Sequence, residues 1–333
     1  MRLNMRLLLL SLLLAISPTF FPHTGFTQEV GTEETKAAVA TSDPVIPLPP
    51  EEKFLLVKDK VKSDLPFKKG EYLNYELKFT KFLITGTIGE ITFNVEDEPV
   101  EIASVEELNS FRKIGNWKFR IDAKSKGFLT VFFGTKVNDV FMSLVDPDEF
   151  NVIKTEKILE EGKSRSKIIT EFSKEDKKVK NVITDLAKPK NPPAVKERKS
   201  LAWVTDVISS WYAMRAQDLS QNKRLFFPVS ENGDVYEVEV EQLGKEDIET
   251  ELGKFSTLKL DMKIFDGRLV RKSGKLYLWV TDDHRKIPVK GQIKMSAGTV
   301  NIALTEMKNT KDRSEMRQPV VTANSQLVTA DKE

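Results

Sequence analysis

The sequence predicts a mainly β protein: an antiparallel open (half-)barrel or two packed sheets, with one amphipathic helix covering the concave face. Three observations predict it. Apolar residues recur at every second position through most of the chain, turn residues separate these runs, and a single segment switches to helical spacing. Period-two alternation marks strands with one buried and one wet face, which is the antiparallel habit.

The chain opens with Arg2 and Arg6, then the apolar run Leu7–Ile16, then Gly25 and Thr27 three and one residues before Gln28. A basic start, an apolar stretch too short to span a bilayer and small residues at the cut describe a secretory signal over 1–27. No cysteine stands at the cut to take a lipid. Residues 28–64 are rich in Glu and Pro, with Pro44, Pro47, Pro49 and Pro50 close together, and read as a disordered tether in which Phe54–Val57 can dock. The β-rich domain follows over 65–306. Within it, 173–200 reads as a flexible basic loop around Pro189, Pro192 and Pro193, and 307–333 reads as a disordered polar tail.

Strands are expected where alternation is clean. Leu73, Tyr75, Leu77 and Phe79 form the first; Gly89, Ile91, Phe93 and Val95 follow a turn at Gly86; Trp117, Phe119 and Ile121 come next. Ile168–Phe172, Tyr236–Val240, Phe255–Leu260, Leu276–Val280, Ile287–Met295 and Val300–Leu304 continue the pattern, with Asn232-Gly233 suited to a tight hairpin. Val204, Val207, Ile208 and Trp211 fall instead at i, i+3, i+4 and i+7, with Thr205 or Asp206 placed to cap. That spacing predicts a helix over 203–218 lying on the sheet.

Composition excludes more than it selects. The chain has no cysteine, and beyond the signal its only histidine is His284. Disulfides are impossible, zinc lacks its usual donors, and no cofactor is expected. The net charge of +2 includes Arg2 and Arg6, so the mature chain is neutral and has no general pull toward nucleic acid.

The run Phe67-Lys68-Lys69-Gly70-Glu71-Tyr72-Leu73-Asn74-Tyr75, followed by Gly86-Thr87-Ile88-Gly89, resembles the opening of the bacterial exported family called domain of unknown function 3108. The resemblance continues through Ser125–Phe128, Asp206–Arg215 and Gly253–Phe255, and through Leu278–Asp283 to Arg285–Val289. It implies export and a β-rich fold and brings no catalytic residue with it. The layout is also similar in architecture to the half-barrels of periplasmic lipoprotein carriers.

Candidate sites are sparse. Asp282, Asp283, His284 and Arg285 form the densest reactive group, able in principle to act as a base or hold a cation, but they occupy the connection between two strands. Ser164 and Lys167 carry a Ser-x-x-Lys spacing, yet on a strand they face opposite ways. Asp146–Glu149 reads as a turn around Pro147. Tyr75, Phe93, Trp117, Phe133, Trp211, Tyr236 and Trp279 are the expected lining of an apolar groove between sheet and helix. The expected function is non-catalytic: an exported binding or envelope-maintenance protein, periplasmic and not membrane-spanning, holding an apolar or lipid ligand in that groove. The alternatives are an envelope protein–protein interaction module and, third, a carboxylate-dependent hydrolase; the alternative locations are secreted or loosely associated with the outer membrane.

Overall fold

The computed structural model describes residues 46–61, 65–96, 116–127, 136–264 and 274–315. The signal segment, Phe133 and residues 316–333 lie outside them. One half of the sheet contains β1 (Tyr72–Lys81), β2 (Ile84–Glu96), β3 (Trp117–Ser125), β4 (Asn138–Val145), β5 (Val152–Glu161), β6 (Ser164–Ser173), β7 (Lys178–Asp185) and β8 (Ala194–Lys199). The other contains β9 (Thr205–Asp206), β10 (Arg224–Glu231), β11 (Asp234–Thr250), β12 (Gly253–Met262), β13 (Gly274–Thr281), β14 (Pro288–Met295) and β15 (Gly298–Lys308). Two short helices complete the described elements, α1 (Leu55–Lys60), preceded by a 3₁₀ turn at Glu51–Phe54, and α2 (Val207–Arg215).

The fifteen described strands belong to one open sheet in the order β8 through β1, then β15 down to β9. Successive strands pair antiparallel, and the short β9 alone runs parallel to its neighbour β10. The halves meet where β1 pairs with β15, Tyr72 opposite Lys308 and Thr80 opposite Thr299. β2 approaches β3 closely enough that a Cβ on Gly89 would sit 2.6 Å from the Lys124 carbonyl oxygen. Only glycine fits there without moving backbone.

The sheet curls until its ends overlap. Lys196 of β8 reaches Asp234 at the start of β11 at 2.7 Å, and Val152 N–H donates to the carbonyl of Val204 at 3.1 Å. No strand ladder joins the ends. Inside the curl, Phe119 of β3 stacks on Tyr212 of α2 at 3.9 Å, and Phe67 meets both rings edge-on. Each such contact contributes about 0.5–1.5 kcal/mol beyond area burial. Phe141, Phe150 and Phe227 extend this main core. A smaller cluster gathers Leu73, Tyr75, Ile248, Trp279, Ile287 and Leu304.

Three sequence expectations are corrected. The helix is shorter than 203–218, because Thr205-Asp206 pairs with β10 and the Asp206 side chain then caps the first turn. Its apolar stripe is the one anticipated but wider: Val204 and Ile208 are buried, Val207 and Trp211 pack half-buried against the same core, and Tyr212 and Arg215 are buried as well. The basic stretch 173–200 is not a loop but includes β7 and β8, with Val179 and Asn181 turned inward between outward lysines. Part of the expected tether is likewise ordered. Phe54, Val57 and Val61 are buried in the main core, and Lys53 pairs with Glu237 at 3.0 Å.

Candidate functional site

Where the two ends of the curled sheet overlap, polar side chains converge on its inner face. Lys157 projects from β5 and Glu231 from the end of β10, and the ammonium reaches both carboxylate oxygens at 2.6 and 2.7 Å. Asn232 accepts a further bond from the same nitrogen at 3.1 Å. Burial pushes the Glu231 carboxyl above its usual range, against the opposing pull of Lys157.

Beside this pair, Asp206 caps α2. Its carboxylate accepts from Ile208 N–H at 2.7 Å, from the Ser209 hydroxyl at 2.7 Å and from the Ser143 hydroxyl of β4. The Ser230 hydroxyl is buried with no partner. These groups line a pocket of about 10 Å³ together with Phe141, Thr155 and Thr170. That is room for roughly one water.

The arrangement is a polar lock across β4, β5, β10 and α2. The Ser143 and Ser209 protons are committed to Asp206 and the Lys157 ammonium to Glu231, while the Ser230 hydroxyl is left without a partner. Among the described residues no group of three or more His, Asp or Glu is placed to hold a metal ion.

The expected groove residues do not form one surface. Phe93 stacks on Trp211 at 5.5 Å and meets Tyr75 edge-on, while Trp117 packs against Phe67. Tyr75 is buried and its hydroxyl donates to the Pro288 carbonyl at 2.9 Å. Trp279 is turned elsewhere: its indole donates to Glu246 at 2.9 Å, and Lys259 and Lys290 lie over its ring. Tyr236 is half-buried on β11. Aromatic side chains thus pack between α2 and the sheet, beside the small pocket that Val207 and Ile208 help to line.

Of the four polar candidates, Asp283 and Arg285 meet, whereas Asp282 and His284 turn to other partners. Asp283 accepts from Thr281, from the Arg285 backbone and from the Arg285 guanidinium; burial alone would raise its pKa, but these bonds hold it below the usual range. Asp282 instead pairs with Lys245 at 2.5 Å. His284 Nε2 bonds the Lys311 carbonyl at 3.0 Å. The group stabilises the β13–β14 connection.

Sequence reading missed Lys157, Glu231 and Asp139, because each is one charge among the many that the chain carries. It also passed over Phe82-Leu83-Ile84, whose signal is visible: three apolar residues in succession where alternation should give way to a polar turn.

A family model described as Protein of unknown function (DUF3108) matches residues 74–305. The chain belongs to this family. No curated protein matches it. Among solved structures, the DUF3108 chain is similar to a β-barrel-like protein of domain of unknown function DUF1849 from Brucella abortus, at 9% identity and TM-score 0.48, covering 75% of this chain and 99% of that one. It is also similar to a putative exported protein with a YmcC-like fold from Bacteroides fragilis NCTC 9343, at 9% identity and TM-score 0.26, covering 74% and 99%. No described helix of the DUF3108 chain is long and apolar enough to cross a membrane, which leaves strand-based crossing unaddressed.

Proposed function

We propose that this DUF3108 protein is an exported, non-catalytic binding protein of the cell envelope that engages its target through its exterior. One observation carries the reading: aromatic rings pack under α2 beside a pocket of only about 10 Å³, whereas the β1–β2 hairpin holds Phe82, Leu83 and Ile84 outside, 91%, 101% and 61% exposed. An apolar ligand in the interior would have to displace Trp211 and Tyr212 from their stacking partners. The outside offers apolar surface at no such cost.

Fractionation of cells making the full chain tests this reading. The processed protein is expected to stay with envelope membranes after osmotic release of soluble contents. A variant carrying Phe82→Ser, Leu83→Ser and Ile84→Ser is expected in the released fraction. Retention in the cytosol, or equal release of both forms, would sink the idea. A stoichiometric apolar molecule found by native mass spectrometry in the released protein would replace it with the interior-groove reading.

A further inference from the structure

Resting on that reading, we propose that the β1–β2 hairpin inserts its tip into the surface of a phospholipid bilayer carrying anionic headgroups. The turn itself departs from the residue types that a tight hairpin with positive φ favours. Lys81 pairs with Ile84, leaving Phe82-Leu83 as a two-residue connection, and Phe82 adopts φ 53. Such positions favour Gly, Asn or Asp, and a bulky residue there is strained. Elsewhere the same chain uses Gly162-Lys163 between β5 and β6 and Asn232-Gly233 between β10 and β11. Phe and Leu at the β1–β2 turn gain no packing in return, since both are almost wholly exposed. A local rule broken without a compensating contact points to a partner outside the fold.

Neighbouring connections indicate which partner. Gly162 N–H donates to the Lys136 carbonyl, and Leu186 N–H to that of Arg165, so Lys136 ahead of β4 and the β5–β6 and β7–β8 connections lie side by side. Lys126 N–H donates to Ile88 of β2, which joins this row to the β1–β2 hairpin. The Lys136, Lys163, Lys188 and Lys190 side chains are exposed along it, and none of their ammonium groups pairs with a carboxylate among the described residues; the Asp185 carboxylate in the same row accepts from the Lys188 backbone N–H at 3.2 Å. Glu90 and Glu160 at the same end are already engaged, by Lys126 and by Asn138. Leu186 adds a further exposed apolar side chain. Apolar residues projecting beyond a row of unengaged lysines match the layered chemistry of a membrane surface, with acyl chains beneath anionic phosphates. A protein groove would need an opposing shape; a bilayer needs only depth and charge.

Vesicle binding tests the proposal with the purified, processed chain. Co-sedimentation is expected with phosphatidylcholine–phosphatidylglycerol vesicles, weakening as salt rises, and much less with phosphatidylcholine alone. The triple serine variant should bind at least about tenfold more weakly. Because its three positions are exposed, its circular dichroism should match that of the parent. As a direct probe, Leu83→Trp should shift its emission to the blue on vesicles and be quenched by brominated acyl chains. No shift at Leu83→Trp, or equal binding by parent and triple variant, would overturn bilayer insertion. If vesicles fail while tip-dependent retention in the cell envelope persists, the target is a protein, and the exterior-binding reading survives without this one. If both fail, both are wrong.

Discussion

Arg215 and Glu71 form a two-pronged ion pair at 2.6 and 3.0 Å with both side chains essentially sealed from water. The pair ties the end of α2 to the residue just before β1, and Arg215 Nε also donates to the Arg285 carbonyl at 3.0 Å. Phe67 and Tyr212 flank the guanidinium, each ring centroid 5.6 Å away. Burial disfavours the charged arginine, but the adjoining carboxylate outweighs it and raises its pKa. Removing one partner strands a buried charge. Glu71→Ala is therefore expected to cost about 3–5 kcal/mol in urea denaturation, and Arg215→Met with Glu71→Leu to recover most of that loss. Equal destabilisation by the single and double variants would contradict the assignment.

Asp206 has two tasks, capping α2 and joining it to β4 through Ser143. Asp206→Ala should destabilise the fold by about 2 kcal/mol, from the lost cap and the buried hydroxyls left without an acceptor. Asp206→Asn, which keeps an acceptor, should cost less. Thermal melts of the two variants give the comparison, and identical melts would argue against the cap.

Asp139 predicts a pH effect. Burial pushes its carboxyl up to about 7, with the charges of Glu161 and Glu160 adding to the rise and the Glu160 N–H bond opposing it. Its Oδ2 is buried without a partner. The folded protein thus holds this proton more tightly than the unfolded chain, where the pKa is about 3.9. Its stabilising contribution is fullest below about pH 4 and is lost as the pH rises through the folded value. Asp139→Asn should remove that component, on the order of 4 kcal/mol. The measurement is the difference in unfolding free energy between parent and variant across pH 4 to 8, about where the two states differ in protonation. A pH-independent difference would refute it.

Gly89→Ala tests the close approach of β2 to β3. Its new methyl would meet backbone, which cannot swing aside. A loss of about 1–3 kcal/mol is expected in chemical denaturation. An unchanged midpoint would mean that the strands separate easily.

Strands with one wet face were legible from sequence because Leu73–Phe79 or Phe119–Ile121 carry their burial in the alternation itself. β4 and β10 were not, since Phe141–Val145 and Leu225–Val229 are apolar nearly throughout and lose the period. β7 was hidden by its lysines, which look like solvated loop although Val179 and Asn181 face inward. The polar lock was out of reach for another reason: Lys157 and Glu231 are 74 residues apart and meet only because the sheet curls. Nothing local in either strand records that meeting.

β1 has β2 on one side and β15 on the other, so the first long strand keeps one flank bare until the last has been made. A pairing across some two hundred residues closes slowly. For a polypeptide exported as proposed, that delay is useful: the chain stays pliable enough to thread a narrow channel and becomes rigid only after its far end has come through.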